Sequence, residues 1–395
     1  MRAEPFAVRL SRELDELAVA HPRLHAVVVA TSRRPEAVTV ALGVLTAVGF
    51  AATVPGGDAQ LFRAAGAGMV GPRFFNVFTA PNLQIGPLCL AFIGVLTRLL
   101  NLLGSAALTR MAIAGVQAAL LLVLALGLVR RSARRTGAPD LASRWAVGLV
   151  LAVGGFVAEA TGSGHPEELM VGLLLAHAAL WAADDRPGLA GLVLGLAGGI
   201  KQWAVLGGGA LLLGRRRRDV LIAIGAAFVV LAALYVPFFV FGVVHTYDFQ
   251  WGFNNGSVLG RLEAQWGLTD WAMRVIQGAL AGLAGAWVAL RRRHSPLVPV
   301  IVAIAVRLLL DPLRLTYYSG PLVALVATWA WTAGAPRVVR WRLPLTVLSP
   351  LLVVLPYLAS RDATWSGGTV LLVLTLVAVL ATRETAPARG EAVVA

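Results

Sequence analysis

The chain has 395 residues, 58% of them hydrophobic and only 14% charged, with a mean hydropathy of +0.77. Soluble domains run at about 45–50% apolar and about 25% charged, which excludes an ordinary cytosolic enzyme, a disordered chain and a disulfide scaffold; with a single cysteine, Cys89, no intrachain disulfide can form. The net charge of +14 has a membrane cause, arginine held on the cytoplasmic face, and calls for no nucleic-acid partner.

Residues 1–36 are the one long polar segment. They carry Arg2, Arg9, Arg12, Arg23, Arg33 and Arg34 and read as a cytoplasmic N-terminal segment, with a surface-lying amphipathic helix through Leu10, Leu14 and Leu17. The charged leader is long, so the apolar run after Arg34 reads as an uncleaved anchor. A spanning helix needs about 20 mostly apolar residues. Candidates lie at 37–54, 109–129, 144–160, 169–183, 219–243, 271–290, 296–310, 316–334, 343–359 and 365–382. Two stretches are ambiguous: 83–100, broken by Pro87 and interrupted by Arg98, and 188–213, too long for one helix and carrying Lys201 at its middle.

Arginine clusters at 130–135, 215–218, 291–293 and 337–342 belong on one side by the positive-inside rule. That requires 188–213 to be two short helices turning at Lys201 on the outer side, and 83–100 to dip into the membrane without crossing. A lysine at the membrane centre costs roughly 2.5–3.5 kcal/mol, so the turn is the cheaper arrangement. The expected fold class is all-α: a polytopic integral membrane protein of about twelve spanning helices, with ten to thirteen as the range. Residues 37–382 form a single transmembrane domain with outer loops at 55–82 and 244–270, and 383–395 form a cytoplasmic tail. The expected location is the bacterial plasma membrane, both termini cytoplasmic.

On the outer side this topology gathers Asp58, His165, Glu167, Glu168, His245, Asp248, Glu263, Asp270, Asp311 and Asp362, while the inner loops hold mostly Arg. Asp58 follows the first span closely, ahead of an apolar loop with Phe62, Phe74, Phe75 and Phe78, which suits the membrane surface. The stretch from Gly162 to Trp203 opens with His165, Glu167 and Glu168. It returns on a Gly-rich helix, Gly191, Gly195 and Gly199 on one face, to Lys201, Gln202 and Trp203. Lys201 is the only lysine among 34 basic residues; at a helix end it suits either a phosphate contact or, with Trp203, an interface anchor. Arg307 and Asp311 read as an i, i+4 pair or as site residues. Tyr317 and Tyr318 read as belt aromatics or site residues, and His177 as a packed histidine. No zinc spacing, phosphate loop, nucleotide fingerprint or Gly-x-Ser-x-Gly elbow occurs.

An Asp after the first span, a membrane-surface loop ending in Gly86-Pro87-Leu88, and the GHPEE…AGLVLGLAGGIKQW segment together resemble the GT-C superfamily of polytopic glycosyltransferases that use lipid-phosphate sugars. Within it the chain is most similar to glycosyltransferase family 87, the actinobacterial polyprenyl-phosphomannose-dependent mannosyltransferases and their relatives, over roughly 37–330. The resemblance implies a GT-C-like fold, with Asp58 as the catalytic base. Lys201 is then the phosphate-binding lysine, with Arg307, Arg314 and His165 behind it. It implies an inverting transfer of a hexose, mannose first among candidates, from a polyprenyl-phosphate donor to an envelope glycolipid or glycan on the outer face. Where the family has Tyr after the Asp and a later Pro-Pro pair, this chain has Gln60-Leu61-Phe62 and Gly86-Pro87. Around Asp58 it reads Gly57-Asp58-Ala59, with no Asp-x-Asp motif to support a divalent metal, and no other cofactor is implied. The alternatives are a transporter or flippase of lipid-linked substrates, and a non-catalytic membrane protein of envelope assembly.

Overall fold

The structure is a computed structural model that describes residues 6–53, 57–248, 257–334, 336–348, 351 and 361–382. The described residues are helical, joined by turns, and hold no strand. Four helices among them are long and apolar enough to cross a membrane: α3 (Pro35–Thr53), α6 (Ala106–Thr136), α11 (Arg217–Phe241) and α13 (Asp270–Arg291). A bent pair, α7 (Asp140–Val153) and α8 (Phe156–Ser163), makes a fifth. The expected count of about twelve is not reached by helices of that length. Leu297–Leu310 and Gly320–Thr332, which we call α14 and α15, have 14 and 13 residues. At 1.5 Å per residue each runs only about 20 Å, short of a hydrocarbon core of about 30 Å.

The expected span 144–160 breaks at Gly154-Gly155, where Gly155 takes φ 85° and the two halves meet at 41°. The expected outer loop 55–82 is largely helical: α4 (Gly57–Met69), with Asp58 in its first turn, precedes a 3₁₀ turn at Phe74–Thr79. Within 244–270 a short helix, α12, runs Val258–Trp266, and the expected loop at 360–364 already belongs to the C-terminal helix Arg361–Ala381. The polar N-terminal segment forms α1 (Phe6–Ala20) and α2 (Pro22–Ser32), separated at the proline. The expected span 343–359 is described only to Leu348, as part of α16 (Pro336–Leu348), and at residue 351. Residues 55–56, the middle of the 244–270 loop and the tail 383–395 lie outside the described residues.

Both ambiguous stretches take definite forms. α10 (Pro187–Ile200) stops at Lys201, whose backbone is extended (φ −154°, ψ 136°), and a twelve-residue 3₁₀ helix, Gln202–Leu213, follows. The two pieces fold back on one another, since the Leu194 side chain lies 3.8 Å from where a Cβ on Gly208 would sit. The glycine face of α10 packs on α11: a Cβ on Gly191 would meet the Ala223 carbonyl, and one on Gly195 would meet Val230. The other stretch is α5 (Pro87–Leu100). Its start is tied to the Lys201 turn, Gly86 N–H donating to the Ile200 carbonyl at 2.7 Å. Its last residue, Leu100, accepts from Thr109 at the start of α6, which itself sits at the end of α3, where Arg110 donates to the Ala51 carbonyl. Both ends of α5 thus lie at one end of the bundle.

Ion pairs sort the molecule into the same two ends. Glu36 pairs with Arg130 and Arg144, Asp184 with Arg131 and Arg135, and Asp185 with Arg215. These are the start of α3, the end of α6, the start of α7, the end of the helix Pro166–Ala183 (α9) and the start of α11. The other end holds Asp58, His165, Glu167, Glu168, Lys201, Arg274, Arg307 and Asp311, which pair with one another. The apolar core between them is built from α6, α9, α14 and α15, with Leu121, Leu128, Leu173, Ile301 and Leu325 all sealed from solvent.

Candidate functional site

Local sequence explains how the site residues converge. α8 ends on Gly164, which takes φ 91°; a Cβ there would stand 2.4 Å from the Ala59 amide nitrogen. Only glycine lets this turn lie directly against α4, one residue from Asp58. His165 follows, then Pro166 at the first position of α9, where a missing N–H costs nothing. Glu167 and Glu168 occupy the first turn of α9, where the helix dipole favours carboxylates. Across from them the α10 chain reversal presents Lys201.

The result is a string of alternating charges. His165 Nε2 lies 2.9 Å from Asp58 Oδ2, and Nδ1 lies 2.8 Å from Glu167 Oε1. Lys201 Nζ donates to that same Glu167 oxygen at 2.9 Å and reaches Glu168 Oε1 at 2.7 Å. Arg307 Nη1 closes the string on Glu168 Oε2 at 3.2 Å. Glu167 and Glu168 are completely buried, whereas the Asp58 side chain is 56% exposed. Beside the string, Arg274 of α13 donates to Asp311 at 3.3 Å and to Gln277 at 3.0 Å, and Gln277 donates to the Arg307 carbonyl at 2.8 Å. The hydrogen bond from His165 holds the Asp58 carboxyl below its ordinary pKa, against the smaller opposing effect of burial. For His165 burial works against the charged ring, but Glu167 and Asp58 together outweigh it and raise its pKa.

Next to Lys201 a cavity of about 270 Å³ opens. Its cations are Lys201, Arg274 and Arg307, its amides Gln84, Gln202 and Gln277, and its aromatic walls Trp203, Tyr247, Trp271 and Tyr318. The Arg307 guanidinium stacks 4.3 Å from the Trp203 ring and 5.0 Å from Tyr318. Clustered cations with aromatic faces suit an anionic group joined to a sugar or an apolar chain. Among the described residues no group of three or more His, Cys, Asp or Glu is arranged to hold a metal ion.

A model of glycosyltransferase family 87 matches residues 86–316, more than half of the chain. The chain belongs to this family. No curated protein matches it. The matched stretch of this membrane glycosyltransferase contains His165, Glu167, Glu168, Lys201, Arg307 and Asp311; Asp58 lies before it and Tyr317 and Tyr318 just beyond. The proposed base is therefore joined to the family region by contact, through His165, rather than by the match itself.

Most residues singled out in the sequence of this family 87 protein meet in one place. Tyr317 stacks on His165, ring centroids 3.9 Å apart and 11° from parallel, and Tyr318 lies against Arg307. Arg307 and Asp311 do not form the i, i+4 pair: α14 ends at Leu310 and Asp311 is extended, so Asp311 turns to Arg274 and Arg307 to Glu168. Arg314 is not brought to the cavity's cations. It donates to the Leu308 carbonyl and Thr369 and stacks over Trp365, facing the C-terminal helix. His165 has both ring nitrogens on carboxylates, which leaves none for a phosphate. His177 sits 3.1 Å from the Leu124 carbonyl, as a packed histidine should. Arg274 was not singled out; its signal was an Arg and a Gln three residues apart in an otherwise apolar helix.

Proposed function

We propose that this glycosyltransferase moves a hexose, mannose first among candidates, from a polyprenyl-phosphate donor to an envelope glycolipid or glycan, on the side of the membrane away from the arginine clusters, with inversion at the anomeric carbon. The observation that carries the reading is the cation-lined, aromatic-walled cavity at Lys201, joined through Glu167 and His165 to a half-exposed Asp58. In this reading Lys201 and Arg307, with Arg274 added, hold the donor phosphate. Asp58 accepts the acceptor hydroxyl's proton as that oxygen attacks the anomeric carbon. The bond from the anomeric carbon to the phosphate oxygen breaks, and its electron pair leaves with the polyprenyl phosphate. The cations stabilise the charge that grows there. Because phosphate leaves as an anion, no general acid is needed, unlike the paired carboxylates of a glycosidase.

The positive-inside rule supports an arginine end in the cytoplasm, and with it a reading of this chemistry on the outer face. The test is transfer from radiolabelled polyprenyl-phosphate hexoses by purified protein in lipid nanodiscs supplied with membrane glycolipid extract. A new labelled glycolipid is expected, lost in Asp58→Asn. Donor binding without any product from the wild-type protein would move the reading to a carrier of lipid-linked substrates.

A further inference from the structure

His165 is enclosed on every side. Its side chain is 7% exposed, Tyr317 covers one ring face, and the Phe62 ring meets it edge-on at 5.3 Å. The ring therefore has little freedom to turn. Each of its nitrogens faces a carboxylate oxygen, and an ionised carboxylate only accepts, so both bonds form together only when the ring is an imidazolium. The charged and titratable groups around it come from four elements: Asp58 from α4, Glu167 and Glu168 from α9, Lys201 from the α10 turn, and Tyr317 and Tyr318 from the 3₁₀ turn Thr316–Ser319. Glu167 Oε1 is shared, taking one bond from His165 and one from Lys201, while its Oε2 is buried and bonded to no described residue.

We propose that His165 is a positioning residue: as an imidazolium clamped by Glu167 and Tyr317, it orients Asp58 through Oδ2 and leaves Oδ1 to take the acceptor's proton. The assignment rests on Asp58 being the base of the proposed transfer. It also links the two ends of the site through one oxygen atom. An anionic donor that draws Lys201 toward itself loosens the lysine's hold on Glu167 Oε1, the oxygen that also holds His165. In the reaction the acceptor's O–H bond breaks and its proton goes to Asp58, while His165 keeps its own two protons throughout.

The sign of the pH dependence follows from the charge. The clamp is present while the ring is protonated and is lost as pH rises through a pKa lying above the ordinary histidine value of about 6.5. Wild-type kcat/KM is expected to fall along a limb above that pH. In His165→Gln, which keeps a donor to Asp58 but no charge, the limb disappears and the plateau drops about tenfold, a typical part of a general base's contribution, with donor KM within about twofold. A second readout needs no turnover. In protein carrying ¹⁵N-labelled histidine, the resonance missing from His165→Gln is to titrate above pH 6.5, and at lower pH in Asp58→Asn, where one carboxylate partner of the ring is gone. A change confined to donor KM would make His165 a phosphate contact and overturn the proposal. A ring that titrates identically in Asp58→Asn would overturn it as well. If the wild-type protein transfers no sugar at all, the transferase reading fails while the resonance still decides the clamp.

Discussion

The two ends of the bundle use the same kinds of ion pair in opposite settings. At the arginine end Arg130, Asp184 and Glu36 are a third or more exposed, and such pairs contribute about 0–1 kcal/mol each because water and salt screen them. At the site end Glu167, Glu168 and Asp311 are sealed. Burying each charge costs several kcal/mol, which attraction between partners offsets only when the geometry is good. A hydrophobic end would be easier to stabilise, so the buried string is the arrangement that asks for a functional reason. The exposed end needs only to stay on its side of the membrane.

Substitutions can break this contrast in graded ways. The largest effect on activity is expected at Asp58, which is exposed enough to change without disturbing the fold: Asp58→Asn should lower turnover by about 10²–10⁴-fold and shift the unfolding temperature only by the loss of its pair with His165. Near-normal transfer by this variant would remove Asp58 as the base. Glu168→Gln comes next. It strips a buried partner from both Lys201 and Arg307, and thermal unfolding in detergent should report about 3–5 kcal/mol lost. Gly164→Ala should cost about 1–2 kcal/mol for the left-handed backbone alone, with the clash against the Ala59 backbone added to it. Its sharper readout is kcat, since the added methyl pushes α4 and Asp58 away from His165. At the opposite end Glu36→Gln, which takes a shared carboxylate from two cations as Glu168→Gln does, should change stability by about 1 kcal/mol or less. Equal losses from the two Glu→Gln changes, measured side by side, would erase the distinction between the ends.

Much of this was legible in the sequence because it depends on composition and on helix ends. Apolar runs locate the helices, arginine clusters sort their ends, and Lys201 marks the chain reversal since a lone ammonium cannot rest cheaply in hydrocarbon. Asp58, His165, Glu167, Glu168, Lys201 and Arg307 stand out for the same reason, as charges in an apolar chain. Pairing was not legible. Glu168 finds Arg307 across 139 positions, and nothing local says that Asp311 will abandon Arg307 for Arg274. The direction of Arg314 depends on where α14 ends, a boundary that apolar periodicity does not fix. The break at Gly154-Gly155 was written in the sequence as a glycine pair, but inside an apolar run it reads equally as close packing.

The hydrogen bond from Gly86 to the Ile200 carbonyl has a consequence for biogenesis. Where α10 stops, its last carbonyls lack helical partners, and a buried carbonyl left unsatisfied costs about 1–3 kcal/mol. The amide that satisfies one of them belongs to a segment made more than a hundred residues earlier in the chain. When the α10 reversal leaves the ribosome, its partner has already been synthesised and can be waiting at the insertion site. A circularly permuted chain that made 187–213 before 83–100 would have to insert the reversal with that carbonyl bare, and its yield in membranes would measure how much the native order matters.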